Sequence, residues 1–206
     1  VSPEDDAAGL AVSMRFDAQL LRINGARSNL NNAVSFSQTQ DGFMKKVAKA
    51  LDRMGELAML AQDATKTDSD RGLYDAEFTK LGLYIDDLAT KDFNGVSLFS
   101  AAGSALAVTT DSDGNKFTTS SVDLTTGVYT QATSASVDTV ANSVNALTNI
   151  QAALTQLATD RANVGANISV MQSYSEQLGV LNENLSNANS RIKDVDVAEE
   201  STQYAR

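Results

Sequence analysis

Large apolar residues recur at every seventh position through Ile150, Leu157, Val164, Met171, Leu178, Leu185 and Ile192. A repeat this long predicts one continuous helix with a single stripe buried against other long helices. Gly165 and Gly179 weaken the stretch and no proline interrupts it. At ~1.5 Å per residue, a helix from about Val137 to about Gln203 reaches roughly 100 Å, the length of a rod. A companion line lies four residues after the strict series at Leu154 and Ile168, with Arg161 between them. It then moves to three residues after, at Tyr174, Leu181, Ala188 and Val195, leaving Ser175, Asn182 and Asn189 on the older line. Such drift follows from setting a 3.6-residue helix against a seven-residue pattern, and it predicts different packing neighbours along the helix.

The first part of the chain has the same character. Ser2 suits an N-cap and Pro3 the first helical position, and Glu4, Asp5 and Asp6 complement the positive end of a helix dipole. Phe16, Leu20, Ile23, Leu30 and Val34 then form a stripe interrupted by Arg27, and Val47, Leu51, Met54, Ala58 and Ala61 continue it. Gly42 and Gly55 fall inside this helix, predicted from Pro3 to Asp63. Thr65 to Gly72 reads as a turn, with Ser69 or Asp70 capping a second helix through Tyr74, Phe78, Leu81, Ile85 and Leu88 to Lys91.

Asn94-Gly95 is a turn signal. From Val96 to Thr133 the helical period disappears and Ser and Thr rise. Two short strands, Leu106–Thr110 and Lys116–Val122, are predicted around the turn Asp111-Ser112-Asp113-Gly114-Asn115. The fold class is therefore mainly α: an elongated antiparallel bundle of long helices with a small β-hairpin region. Residues 1–99 form the N-terminal part of a helical rod domain, 100–136 a short central β region, and 137–206 the C-terminal part of the same rod domain.

Composition narrows the function. Sixteen basic against 26 acidic residues give a net charge of −10, which disfavours nucleic acid and anionic membrane surfaces as partners. No apolar run reaches the roughly 18 residues that insertion across a bilayer needs. Cysteine and histidine are both absent, which removes thiol nucleophiles, Cys/His zinc sites and the side chain best suited to proton transfer near neutral pH. No catalytic, cofactor-binding or metal-binding residues are assigned, and the chain is read as a structural protein rather than an enzyme.

Several segments are similar to bacterial flagellin. Glu4-Asp5-Asp6-Ala7-Ala8-Gly9-Leu10-Ala11 resembles the family's opening DDAAG segment, and Asp52-Arg53-Met54-Gly55-Glu56-Leu57-Ala58 its R-x-x-E-L-A stretch. Asp92-Phe93-Asn94-Gly95-Val96 resembles its F-N-G-V turn, and Asn184 to Asp196 its N-L-S-x-A-x-S-R-I-x-D-x-D signature. The R-x-x-E-L-A and F-N-G pieces favour flagellin over the hook–filament junction protein, which has similar helical ends. The resemblance implies a filament subunit for motility, on the bacterial flagellum or cell surface, outside the cell. It implies other flagellin subunits, the flagellar type III export apparatus with its chaperone, and a host innate immune receptor as partners. It also implies that the polymerising terminal coiled coils are missing, so that this chain is a monomeric core trimmed at both ends. The competing reading is a flagellin-like adhesin or polysaccharide receptor binding glycans through Ser100 to Ser136.

By motif position, the receptor-recognition residues implied by the resemblance are Arg53, Leu57 and Glu77. The plainer account packs Leu57 between helices and pairs Arg53 with Glu77 in solvent. Asp111, Asp113 and Asn115 have the alternation that opens a calcium loop, but Lys116 and Val122 stand where the glycine and bidentate glutamate belong. A hairpin turn is the expectation there. Glu4, Asp5, Asp6, Asp194, Asp196, Glu199 and Glu200 gather near one end if the first and last helices are antiparallel, where they could meet basic groups of a neighbouring subunit. Asn167-Ile168-Ser169 and Asn184-Leu185-Ser186 match glycosylation sequons by chance, and Thr109 to Ser136 is the better place for O-linked sugar.

Overall fold

A computed structural model describes residues 7–100 and 104–204, with side-chain environments for 8–100 and 104–193. The predicted cap at Ser2-Pro3 and the carboxylates of Glu4, Asp5, Asp6, Asp194, Asp196, Glu199 and Glu200 lie outside those described. The elements are α1 (Ala7–Ala61), α2 (Asp68–Ala89), β1 (Asp92–Phe93), β2 (Val96–Ser97), β3 (Ala107–Thr109), β4 (Lys116–Thr118), α3 (Val128–Thr133) and α4 (Val140–Tyr204). They gather into two units, and both long helices contribute to each. One holds Val1–Val34, Ala107–Phe117 and Ser169–Arg206; the other holds Ser35–Leu106 and Thr118–Ile168.

The second unit has the larger core. From α1 it buries Met44, Val47, Leu51, Met54, Ala58 and Ala61, alternating three and four residues apart, with Leu57 beside Ala58. Opposite lie Phe78, Ile85 and Leu88 of α2, and Ala146, Ile150, Ala153, Leu157 and Val164 of α4. Gly55 faces Ile150, whose Cγ2 would lie 3.6 Å from a Cβ built there. The early companion residues Leu154 and Ile168 pack against this core, while Arg161 bonds Asp41 at 2.9 Å.

Where α1 ends, its carbonyls need partners. Arg71, 5% exposed, donates Nε to the Ala61 carbonyl at 2.7 Å and Nη2 to that of Asp63 at 2.8 Å. The cap of α2 is Thr67, not Ser69 or Asp70. Asp70 instead occupies the third helical position and returns the bond to the Thr67 amide at 2.9 Å, completing a capping box.

Asn94 (φ 53°) and Gly95 (φ 79°) form a two-residue turn joining β1 to β2, the positive-φ geometry that suits a tight hairpin. Phe93 beside this turn meets Phe36 edge-on, with ring centres 5.9 Å apart. The second hairpin forms at β3 and β4, but β4 stops at Thr118 rather than Val122 because the chain turns in to bury Val122 and Leu124. Ser104 Oγ holds that bend, accepting from the Val122 amide at 3.0 Å. Helix α3 was not expected. It buries Tyr129 and Ala132, and the Tyr129 hydroxyl donates to Asp160 at 2.6 Å. Burial first, then the neighbouring Asp160 carboxylate, raise the Tyr129 pKa.

In the first unit α1 and α4 run antiparallel, with Asn24 bonded to Asn182 and Ser13 to Asn189. Ile23, Ala26 and Leu30 are buried there with Met171, Leu178 and Val108. The late companion line departs from expectation: Leu181 is 37% exposed, whereas Asn189 is buried at 5%. Ser175 and Asn182 are half-buried beside it on the older line. For Asn182 and Asn189, α1 supplies hydrogen-bonding partners in Asn24, Ser13 and Asp17.

Candidate functional site

Candidate sites on this chain are helical faces. The seam residues Ile150, Leu157, Val164, Met171 and Leu178 are each at most 3% exposed, while Leu185 and Ile192 are half-buried. Toward that end the seam becomes polar. Ser13 Oγ donates to Asn189 Oδ1 at 2.8 Å, and Asn189 Nδ2 donates to Asp17 Oδ1 at 2.6 Å. Lys193 Nζ lies 3.0 Å from Asp17 Oδ2. Hydrogen bonds from Lys193 and then Asn189 lower the Asp17 pKa below the usual carboxylate value. Arg27 lies on the same seam, its Nη2 3.8 Å from the Cβ position of Gly179. At that distance a Cβ on Gly179 would make an ordinary van der Waals contact with the guanidinium.

The three residues assigned to receptor recognition divide by environment. Arg53 makes a two-point bond to Glu77, at 2.7 and 3.1 Å, and a third to Glu56 at 2.7 Å. Those bonds raise the Arg53 pKa, and the Arg53 bond lowers that of Glu77. Both side chains are open to solvent, whereas Leu57 has 0% exposure. A partner approaching this face reaches the ion pair and not the leucine. Lys46 and Lys49 border a nearby cleft of about 260 Å³ with Leu81 and Tyr84.

Asp111 is occupied by its own loop. Its carboxylate accepts from the amides of Asp113 and Asn115, each at 2.9 Å, and from the Asn115 side chain. The Asn115 side-chain bond leads the causes that lower its pKa. The loop rests on α1, where Arg22 Nε donates to the Ser112 carbonyl at 3.0 Å. Among the described residues no group of three or more acidic side chains could hold a metal, and no helix is long and apolar enough to cross a membrane. A cleft of about 310 Å³ beside α3 is lined by Asp86, Ala89, Thr125, Thr130, Thr133 and Ser134. On α4, Ser169, Val170, Ser173, Tyr174 and Gln177 line another of about 190 Å³.

Sequence reasoning missed Arg71, Asn189 and Arg27 as organising groups. Arg71 and Asn189 are polar residues turned inward that only their cross-helix partners reveal, and the buried Nε of Arg27 makes no hydrogen bond among the described residues.

Comparison with known proteins identifies this architecture. Residues 1–104 match the family description "bacterial flagellin N-terminal helical region", and residues 147–206 match "bacterial flagellin C-terminal helical region". The chain is 29% identical to the flagellar filament 30.7 kDa core protein of Treponema maltophilum, over 98% of this chain and 76% of that protein. It is 28% identical to a flagellin of Halalkalibacterium halodurans, over 98% and 75% of the two. In fold it is similar to Bacillus cereus flagellin, with a TM-score of 0.65 at 23% identity over 73% of this chain and 88% of that one. A putative flagellar hook-associated protein from Vibrio parahaemolyticus also gives 0.65, at 18% identity over 94% and 98%. With both of its ends matched in order, the chain belongs to the bacterial flagellin family.

Proposed function

We propose that this flagellin builds filaments by self-association through the faces of its long helices. It is a structural subunit of the bacterial flagellar filament, a role the names of its relatives share. The observation that carries this reading is the match of both ends of the chain to flagellin helical regions. Each compact unit also contains segments from both ends, which supports reading the N- and C-terminal helices as partners within each unit.

Placement outside the cell, delivery by the flagellar type III apparatus with a chaperone, and the absence of catalysis follow from that role. A host innate immune receptor would meet the Arg53–Glu77 face, with Leu57 as the packing beneath it. No relative's name supports the adhesin or polysaccharide-receptor alternative. The chain matches 76% of the length of its Treponema maltophilum relative, so the test joins the tagged chain to the terminal segments of a flagellated bacterium's own flagellin and expresses it in place of that flagellin. Tagged filaments are expected; export of the folded protein without any filament would overturn the role.

A further inference from the structure

Opposite its buried stripe, α1 carries a second one. Ala11, Met14, Ala18, Leu21 and Gly25 are spaced three, four, three and four residues apart, and all are exposed. Met14 is 63% and Leu21 74% exposed, and nothing lies within 4 Å of a Cβ built on Gly25. Small residues on one line and large ones on the other let a second helix approach closely and receive the large side chains between its own. A solvated helix face has no use for such a pattern.

The charges beside the stripe indicate its occupant. Arg15 and Arg22 flank it seven residues apart, and each donates Nε to a backbone carbonyl, with no ion pair among the described residues. On α4, exposed Glu176 and Glu183 are also seven apart and belong to none of the ion pairs among the described residues. Between and beside them lie Val180, 61% exposed, and the cleft that begins at Ser169 and Val170. Two α1 stripes packed antiparallel would oppose Arg15 and Arg22 with the same arginines, a like-charge edge that disfavours the pairing.

We propose that the α1 stripe of one copy docks on the outer face of α4 of a second copy, with Arg15 and Arg22 facing Glu176 and Glu183. This deepens the filament reading, and rests on it, by naming the joined faces. The contact is head-to-tail, so it propagates from copy to copy instead of closing at two.

The chain has no cysteine, so Leu21→Cys and Val180→Cys each introduce a single thiol that can bridge only between molecules. Mild oxidation of the two differently tagged variants, mixed at high concentration, is expected to give heterodimer well above the homodimer formed by either alone. Reversing Arg15 and Arg22 to Glu on the Leu21→Cys chain should lower the yield about three- to tenfold. Reversing Glu176 and Glu183 to Arg on the Val180→Cys chain should then restore it. Circular dichroism checks that each variant folds. Absence of heterodimer, a Leu21→Cys homodimer of equal yield, or indifference to charge reversal would overturn the interface. If the chain enters filaments but these positions do not bridge there, the interface alone fails. If it does not enter them, the filament reading fails.

Discussion

The hydroxyl of Ser13 donates to the side chain of Asn189 at 2.8 Å, and the two residues are 3% and 5% exposed. Both are polar in a position a coiled seam ordinarily gives to apolar side chains, and each satisfies the other. Asn189→Ala strands the buried hydroxyl and should cost about 1–3 kcal/mol, read by urea denaturation. The double variant Ser13→Ala/Asn189→Ala should cost much less than the sum of the two single changes, since no buried group is left unpaired and the half-exposed Asp17 keeps Lys193. Additive costs would show that the pair is not coupled.

Gly82 of α2 lies against the backbone of α3. A Cβ there would stand 2.6 Å from the Thr133 carbonyl oxygen, so Gly82→Ala must push the helices apart and should cost about 1–3 kcal/mol. Gly72, on the same helix, has nothing within 4 Å of its Cβ position. Gly72→Ala should stabilise by about 0.5–1 kcal/mol through helix propensity alone. Thermal melts of the two variants should therefore move in opposite directions.

What could be read from the chain followed from how strongly burial is tied to side-chain type. Ile150 through Leu178 announce a buried face because large apolar residues at heptad spacing have one low-energy use. Asn189 stands on the line that the drifting apolar stripe leaves behind, yet it is buried, and only the facing Ser13 and Asp17 make that burial tolerable. Helix α3 spans six residues, Val128–Thr133, too few for a helical period to rise above its Ser and Thr neighbours. Thr67, Asp68, Ser69 and Asp70 all have side chains that can cap, and the choice among them depends on the reciprocal Asp70 bond. At the face implied by the family motifs, the plainer reading of the residues, with Leu57 packed between helices and Arg53 paired with Glu77 in solvent, is the arrangement found.

Asp41 links α1 to α4 and should make stability pH-dependent. Burial pushes its pKa up, but hydrogen bonds from Lys45 and Arg161 outweigh this and hold it below its ordinary value of 3.8. A carboxylate lowered in the folded state contributes stability that is present above its unfolded pKa and lost as pH falls through the folded one. The melting temperature of the wild type should therefore exceed that of Asp41→Asn near neutral pH. The gap should close in acid, below about pH 4. A gap that persists unchanged well below about pH 4 would mean that Asp41 acts through packing instead of charge.

Leu57 and Arg53 separate stability from recognition on the face proposed to meet a receptor. Leu57 is fully buried among α1, α2 and α4 side chains, so Leu57→Ala removes core volume and should cost about 2–5 kcal/mol. Arg53 lies in solvent between Glu56 and Glu77, where exposed pairs contribute little, and Arg53→Ala should leave the melting temperature nearly unchanged. A receptor reading this face should lose affinity for Arg53→Ala while that variant remains fully folded. For Leu57→Ala, binding should fall in proportion to the unfolded fraction and recover as temperature is lowered. The measurement is surface-captured receptor binding alongside melting curves for the same preparations. Weakened binding by a Leu57→Ala protein that is still folded would instead require the leucine to emerge on contact.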